Sequence, residues 1–398
     1  MIEITQVNAS LDEAGDENAC LIVGKRVAKR VLRCKDSEIK SIELHRKSID
    51  ARKKRDVHFI LSFRVELTSP HLEREAVDSV AERDRSRVRA IEDDEPSFPS
   101  PASDAPQERP VVVGAGCAGL FAALTLAEAG LKPLLIERGD PAFRRSRAID
   151  LFLKERILDP ESNIQFGLGG AGTFSDGKLF TRSKKRGDYN KALQTLVFHG
   201  ATPEILYEAH PHIGTDKLPR IMQNIRQTIL GSGGQFVFGS RVTDLEIRNG
   251  RIRGVRCGDT FVEGAAVVLA TGHSARDIYE LLYRRGVRVE AKAFAMGVRI
   301  EHPQALIDSI QYHCPTRGEY LPAAAYSLVS QEAGRGVYSF CMCPGGFIVP
   351  AMTDAAQSVV NGMSPSGRTS PYANSGMVTE VRPADFEHLR AEWGELAG

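Results

Sequence analysis

The sequence predicts an α/β protein built around a β-α-β unit, and three observations indicate this class. The apolar run Pro110–Val113 leads directly into glycines and then into the helical stretch Ala118–Ala129. A second apolar run, Pro133–Ile136, follows shortly after that stretch. The chain has 398 residues, a length typical of two or three domains that fold around their own hydrophobic cores.

Composition excludes several classes of protein. The chain carries 52 basic and 51 acidic side chains, so its overall charge does not favour nucleic acid or a membrane as partner. No apolar run approaches the ~18 residues that cross a bilayer, and the N-terminal segment is acidic where a signal peptide is basic and then apolar. Seven cysteines, an odd number, fit a reducing compartment. We therefore expect a cytoplasmic protein.

Residues 1–69 are interpreted as a small α+β domain, because apolar runs near residues 2–7 and 57–67 predict strands around a helical segment. Within it, residues 25–56 hold 13 Lys or Arg against 5 Asp or Glu. This stretch is either a surface for phosphates or RNA or a solvated basic face. The absence of interleaved aromatic residues favours the solvated face.

Three further segments follow. Residues 70–108 are first charged and then rich in Pro, Ser and Ala, which is typical of a linker. We expect a nucleotide-binding domain over 109–275 and a substrate domain over 276–398, the latter incomplete because the chain finishes in a charged stretch without a closing strand.

The glycines after the first apolar run have the spacing G-x-G-x-x-G. Gly114 permits a tight turn, Gly116 lets a diphosphate approach the backbone, and Gly119 lets the helix pack closely on the strand. The second strand ends at Glu137, 23 residues after Gly114, near the spacing at which a carboxylate binds ribose hydroxyls. The pattern predicts a dinucleotide site, without separating NAD from FAD.

A second glycine cluster, Gly167 to Gly172, also satisfies the spacing. The residues that follow it predict neither an apolar helix nor a strand ending in an acid, so a second site of the same kind is rejected. Such a loop, with Ser175, Asp176 and Lys178 after it, suits a cradle of backbone amides beside a flat ring or a diphosphate. Further on, hairpin signals at Asn249-Gly250 and Gly258-Asp259 predict a three-stranded meander, followed by a buried strand ending in Ala270-Thr271-Gly272.

Eight sequence motifs span nearly the whole chain: RKSIDARKK (46–54), VVVGAG (111–116), LDPESNIQFGLGGAGTFSDGKL (158–179), HIGTDKL (212–218), GHSARD (272–277), GVRIEHPQ (297–304), GRGVYSFCMCPGG (334–346) and VVNGMS (359–364). In these motifs the chain is similar to a family of uncharacterised FAD-dependent dehydrogenases of bacterial type, and its order of elements resembles the two-dinucleotide-binding-domain flavoproteins. The resemblance implies a Rossmann-like FAD-binding domain. Family members continue further and carry a Gly-Asp segment that holds the ribityl chain, which this sequence lacks after residue 260; we therefore expect a truncated chain.

The resemblance and the glycine pattern together give a predicted cofactor site: Gly114, Ala115, Gly116, Gly119, Glu137, Arg138, Gly170, Gly172, Ser175, Val242, Thr271 and Gly272. Lys178 is a candidate for stabilising negative charge on a reduced flavin, and its alternative is a solvated surface lysine. Cys341 and Cys343, two apart on a predicted strand, should share one face and could relay electrons, although small buried core residues are the commoner role. Arg299 and His302 are candidates for binding an anionic substrate or for pairing with Glu301.

The expected activity is hydride transfer through FAD to or from a small-molecule substrate, with NAD(P)H as a transient reductant. No metal site is predicted, because the chain has neither an H-E-x-x-H nor a C-x-x-C pair. Two alternatives remain open: a flavoprotein that modifies RNA through residues 25–56, and a non-catalytic fragment that holds no flavin.

Overall fold

The computed structural model describes residues 1–53, 56–92, 99–102, 107–181 and 187–387. The helices are α1 Glu17–Leu32, α2 Pro70–Asp78, α3 Cys117–Glu128, α4 Ala142–Glu155, α5 Tyr189–Phe198, α6 Leu218–Gly231, α7 Arg276–Arg284 and α8 Gln304–Tyr312. The strands are β1 Ile2–Ala9, β2 Ile39–Asp50, β3 His58–Leu67, β4 Val88–Ala90, β5 Val111–Val113, β6 Leu134–Ile136, β7 Gln235–Val237, β8 Asp244–Arg248, β9 Arg251–Cys257, β10 Thr260–Glu263, β11 Val267–Leu269, β12 Phe294–Pro303, β13 Val329–Glu332, β14 Arg335–Cys343, β15 Phe347–Pro350, β16 Val360–Met363 and β17 Tyr372–Val381.

The chain forms two compact units, each assembled from three separate segments. The first unit, which we call the N-terminal unit, comprises Met1–Ser97, Lys178–Ile213 and Gln304–Ala325. The second, which we call the glycine-loop unit, comprises Phe98–Gly177, Gly214–Pro303 and Tyr326–Gly398.

The N-terminal unit is built on an antiparallel sheet of order β2-β3-β1-β4. Helix α1 covers it, because Cys20, Val23, Val27 and Val31 recur at helical spacing and are buried in its core. The α+β class predicted for residues 1–69 is therefore confirmed. Strand β2 lies within the basic stretch and was not predicted as a strand.

Five of the eleven described Lys and Arg side chains of residues 25–56 form ion pairs with carboxylates. Lys25 and Lys29 both reach Asp36, and the pairs Arg26–Glu13, Lys40–Glu66 and Arg52–Asp50 add three more. This pairing favours a solvated face over an RNA-binding surface. Residues 54 and 55, two of the basic positions, lie outside the described residues.

The linker predicted over 70–108 is wrong for its first twenty residues. Ser69 caps α2 by accepting a hydrogen bond from the Leu72 amide, and β4 pairs with β1. Ala76 and Val80 are buried in the core of the N-terminal unit. Their apolar spacing spans little more than one helical turn, which is too short to stand out among the surrounding charges. Residues 93–98 and 103–106 lie outside the described residues.

The glycine-loop unit contains a parallel sheet of order β11-β5-β6-β7. Helix α3 connects β5 to β6 and buries Leu120, Ala123, Leu124 and Ala127, the face expected to contact the sheet. The β-α-β prediction is thereby confirmed. Strand β11 was expected to be buried, but Val268 and Leu269 are 37% and 36% exposed, because β11 is the edge strand of the sheet.

The predicted meander is also confirmed, as the antiparallel sheet β10-β9-β8. Asn249 and Gly250 have φ angles of 53° and 71°, the pair of positive values that a two-residue hairpin turn requires. Beyond it, β12, β17, β14 and β13 form a four-stranded antiparallel sheet, and β15 pairs with β16. Among the described residues, no helix combines the length and the apolar character that crossing a bilayer demands.

Candidate nucleotide-binding site

A cavity of about 590 Å³ opens in the glycine-loop unit. Val113, Ile136 and Leu269, the last residues of β5, β6 and β11, line it. The cavity therefore lies at the carboxyl ends of the parallel strands, where open α/β sheets bind their ligands. Its volume is within the range of small-molecule and cofactor sites.

The first glycine loop, residues 114–119, forms one wall of this cavity. Gly114 has φ +99°, and a Cβ there would lie 2.5 Å from the Ala270 carbonyl oxygen. A Cβ at Gly119 would lie 1.8 Å from the Gly114 carbonyl oxygen, so only glycine lets α3 start this close to the turn. Gly116, in contrast, has an ordinary φ of −72°, and its Cβ would come no nearer than 3.7 Å to another residue. Backbone geometry thus demands glycine at 114 and 119, whereas the open space at 116 suits a ligand.

The second glycine loop, residues 167–172, packs directly against the first. The Gly169 amide donates to the Ala115 carbonyl over 2.7 Å, and the two loops form a parallel bridge at Gly116 and Gly169. A Cβ at Gly170 would lie 2.9 Å from the Gly116 Cα. The loops therefore meet backbone to backbone, and Gly169, Gly170, Ala171 and Gly172 all line the cavity.

Glu137 ties the two loops together. Its carboxylate accepts hydrogen bonds from the backbone amides of Ala115 (2.7 Å), Gly139 (2.9 Å) and Gly167 (3.0 Å). The residue is 5% exposed, yet it lines the cavity. Because a carboxylate has about four acceptor positions, three bonds leave one position for a ligand hydroxyl.

Arg138, two residues after the end of β6, also lines the cavity. Its guanidinium stacks on the Phe166 ring at 4.2 Å and forms ion pairs with Glu161 and Asp277. These contacts fix the plane of the guanidinium at the cavity wall. Asp277 lies in the first turn of α7, which has no side-chain cap, and its carboxylate accepts a hydrogen bond from Arg138.

Arg145, which the sequence analysis did not single out, is fully buried behind the second glycine loop. Its guanidinium donates to the carbonyl oxygens of Asn163, Ile164, Leu168 and Gly170. Burial lowers its pKa to about 10, so it is charged at neutral pH. The available signal was its position four residues before the buried Ile149 on α4, where a charged side chain faces inward.

Cys117, the first residue of α3, also lines the cavity. The residue is exposed, its thiol donates to the Gly169 carbonyl oxygen over 3.8 Å, and burial raises the pKa of the thiol.

The structure brings nine of the twelve predicted cofactor residues to the cavity wall: Gly114, Gly116, Glu137, Arg138, Gly170, Gly172, Val242, Thr271 and Gly272. Ala115 and Gly119 support the first loop from behind and are buried. Ser175 does not line the cavity; its hydroxyl donates to the Gly172 carbonyl oxygen over 2.7 Å and accepts from the Gly177 amide. It stabilises the end of the second loop.

The three predicted catalytic residues do not line the cavity. Lys178 belongs to the N-terminal unit, and its backbone forms an isolated antiparallel β-bridge with His212. Cys341 has φ +49° at a bulge in β14, where the register against β17 gains an extra residue between Phe340 and Cys343. The bulge interrupts the two-residue alternation on which the expectation of a shared face was based.

Arg299 and His302 are not paired with Glu301. Arg299 donates to the side-chain oxygens of Asn374 and Asn361 and to the Cys341 carbonyl oxygen. The His302 Nε2 and the Tyr326 hydroxyl form a hydrogen bond of 2.8 Å. Arg299 thus joins β12 to β14, β16 and β17, and His302 joins β12 to the segment before β13.

Three family models match the chain. Residues 109–179 match an FAD binding domain, residues 293–397 match the C-terminal domain-like part of an FAD-dependent protein, and residues 1–66 match a domain of unknown function. The first of these covers both glycine loops and Glu137. The residues at the cavity thus agree with FAD as the ligand.

Relatives extend this result. A protein of Clostridium beijerinckii, itself uncharacterized, is 42% identical over 390 residues, which are 97% of this chain and 70% of that protein. The probable electron transfer flavoprotein-quinone oxidoreductase YdiS of Escherichia coli is 33% identical over 41% of this chain. Protein FixC of Escherichia coli is 27% identical over 50% of it. The chain spans only 36% of YdiS and 44% of FixC.

Solved structures show weaker similarity. The glycerol-3-phosphate dehydrogenase of Bacillus halodurans, complexed with FAD, has a TM-score of 0.34 at 13% identity, over 69% of this chain and 48% of that one. The tetracycline destructase Tet(51) has a TM-score of 0.32 at 11% identity, over 73% of this chain and 63% of that one. The assignment rests instead on the long match to the Clostridium protein and on the FAD-binding segment. The chain belongs to the family of that protein, a family of FAD-dependent oxidoreductases.

Proposed function

We propose that this protein is a cytoplasmic oxidoreductase that holds FAD in the cavity and transfers a hydride to or from a small-molecule substrate. The observation that carries the proposal is the closure of two glycine loops on each other at the start of α3, with the Glu137 carboxylate bound to both. This arrangement places backbone amides and one carboxylate at the carboxyl ends of parallel strands, as a dinucleotide requires.

Different residues of the site are suited to different parts of FAD. The amides of the first turn of α3, at Cys117 and Ala118, and the open backbone at Gly116 are suited to the diphosphate, because a helix N-terminus attracts anions. The remaining acceptor position of Glu137 is suited to a ribose hydroxyl. Bound FAD would supply the hydride acceptor and donor that amino-acid side chains lack. The catalytic roles predicted for Lys178, Cys341 and Cys343 stay predictions.

The first experiment is a visible spectrum of the 398-residue protein with and without added FAD. We expect the absorption bands of oxidised flavin to remain after gel filtration. A protein that is colourless after gel filtration has removed excess FAD would contradict the proposal and favour the non-catalytic alternative.

A variant pair tests the location. Gly116→Ala needs no backbone change, since its Cβ meets nothing closer than 3.7 Å, but the methyl group enters the cavity wall. We expect a normal thermal midpoint and weaker FAD binding. The matched control is Gly231→Ala, at the end of α6, where a Cβ meets nothing within 4 Å. FAD affinity that is equal in both variants would place the cofactor elsewhere.

We further propose NAD(P)H as the electron donor, which would approach the flavin transiently. Anaerobic titration with NADH and NADPH should bleach the flavin spectrum with one donor or both. If neither bleaches it, the nicotinamide part of the proposal is wrong, and the relationship to YdiS makes a reduced electron transfer flavoprotein the next donor to test.

A further inference from the structure

Arg145 is a buried cation held by carbonyl groups. Its Nε and terminal nitrogens donate over 2.7 to 2.9 Å to four carbonyl oxygens, those of Asn163, Ile164, Leu168 and Gly170. The side chain is 0% exposed. Among the described residues no carboxylate contacts it, so its direct partners are peptide dipoles and the Phe174 ring, whose centroid lies 4.8 Å from the guanidinium. A charge in such a place is costly unless it is compensated.

Two of these carbonyls, those of Leu168 and Gly170, belong to the second glycine loop, which lines the cavity, and those of Asn163 and Ile164 lie in the segment just before it. In a trans peptide the N–H points away from the C=O, so each carbonyl that faces Arg145 directs the following amide to the opposite side. The Gly169 amide, which follows Leu168, donates to the first glycine loop. The Ala171 amide follows Gly170, and Ala171 lines the cavity. Because the Gly170 carbonyl accepts from Arg145, the Ala171 amide is directed to the opposite side of that peptide.

We propose that Arg145 is a positioning residue that orients the second glycine loop to bind the diphosphate of FAD. This inference rests on the proposed function and assigns the loop its ligand group. The guanidinium holds the carbonyl ends of the loop peptides, and the amide ends, Ala171 N–H among them, are presented to an anion at the cavity. A cation behind the peptides and an anion in front of them stabilise each other through the aligned dipoles.

The electrostatics of the site agree with this arrangement. Glu137, close enough to Arg145 to raise its pKa against the effect of burial, already uses most of its acceptor capacity on the two loops. The ligand's negative charge would therefore be the further counter-charge that the buried guanidinium lacks. Arg145 keeps its charge at neutral pH, since its pKa is about 10.

The test compares Arg145→Met with Arg147→Met, a matched change at an exposed position of the same helix. FAD, ADP and riboflavin are titrated separately against the 398-residue proteins freed of flavin. Loss of Arg145 should weaken FAD and ADP binding by about 30-fold and riboflavin binding, which involves no phosphate, by less than about threefold. Arg147→Met should bind all three like the unmodified protein.

Two further variants separate positioning from general loss of structure. Arg145→Lys keeps the charge but cannot reach four carbonyls, so it should fold normally and bind ADP with intermediate affinity. Added guanidinium chloride at low millimolar concentration should restore ADP binding to Arg145→Ala, and equal sodium chloride should not. Unchanged ADP binding in Arg145→Met, or equal losses for ADP and riboflavin, would overturn the inference while leaving the proposed function intact. An unmodified protein that binds neither FAD nor ADP would overturn both.

Discussion

Glu137→Gln is expected to loosen both glycine loops. The carboxylate accepts two amides on one oxygen, from Gly139 and Gly167, and one on the other, from Ala115. A glutamine keeps one acceptor oxygen and replaces the second with an NH₂ group that can only donate. If its oxygen retains Gly139 and Gly167, its NH₂ group faces the Ala115 amide, and two donors meet.

The magnitude follows from this count. The variant loses one hydrogen bond to a charged acceptor, worth about 2 kcal/mol, and leaves one buried amide unsatisfied at a further cost of about 1 kcal/mol or more. The two bonds that remain also weaken because the acceptor is now neutral. We expect the free energy of unfolding of the glycine-loop unit to fall by about 3 kcal/mol.

Two measurements check this expectation. Urea unfolding of the flavin-free protein gives the change in stability, and hydrogen exchange followed by mass spectrometry gives the protection of the amide at Ala115. Glu155→Gln, an exposed position at the end of α4, is the control and should change neither. A stability change below about 0.5 kcal/mol with unchanged exchange at Ala115 would refute the assigned role of Glu137.

Three further outcomes are expected. Iodoacetamide should modify Cys117 faster as the pH rises, because burial raises the pKa of its thiol, and bound FAD should slow the reaction, as read by peptide mass spectrometry. Burial lowers the pKa of His45 below 6.5, so the unfolded chain binds the proton first and stability falls as the pH drops below 6.5. The urea midpoint should therefore be lower at pH 5 than at pH 7. His45→Asn should remove this difference, and His71→Asn, which alters an exposed side chain, should keep it. Arg299→Lys should lower the free energy of unfolding by about 2 kcal/mol, since one ammonium cannot replace bonds to two asparagines and a carbonyl; an unchanged thermal midpoint would contradict this.

The sequence was most informative where a local backbone requirement selects one residue type. The turn at Gly114 and the approach at Gly119 leave no room for a Cβ, and Asn249-Gly250 is the pair that a tight hairpin needs. These positions could be predicted because the constraint acts within a few residues of the chain.

Features that depend on distant partners could not be predicted. Strand β2 has two register shifts against β3, at residues 39–41 and 44–46, so its two-residue alternation is interrupted. In the sequence, Arg145 cannot be told apart from its exposed neighbours on α4, because the four carbonyl groups that surround it belong to residues 163–170. The three amides of Glu137 likewise come from segments up to 30 residues away. Periodicity carries no information about such long-range polar contacts.

The alternation of the two units along the chain constrains how the protein can be produced and dissected. Six consecutive segments belong alternately to one unit and the other, so the polypeptide crosses between them five times. Neither unit can be excised as a single continuous piece. During synthesis, the N-terminal unit cannot acquire its last segment before residue 325 has left the ribosome. Producing either unit alone would require joining its three segments through new linkers.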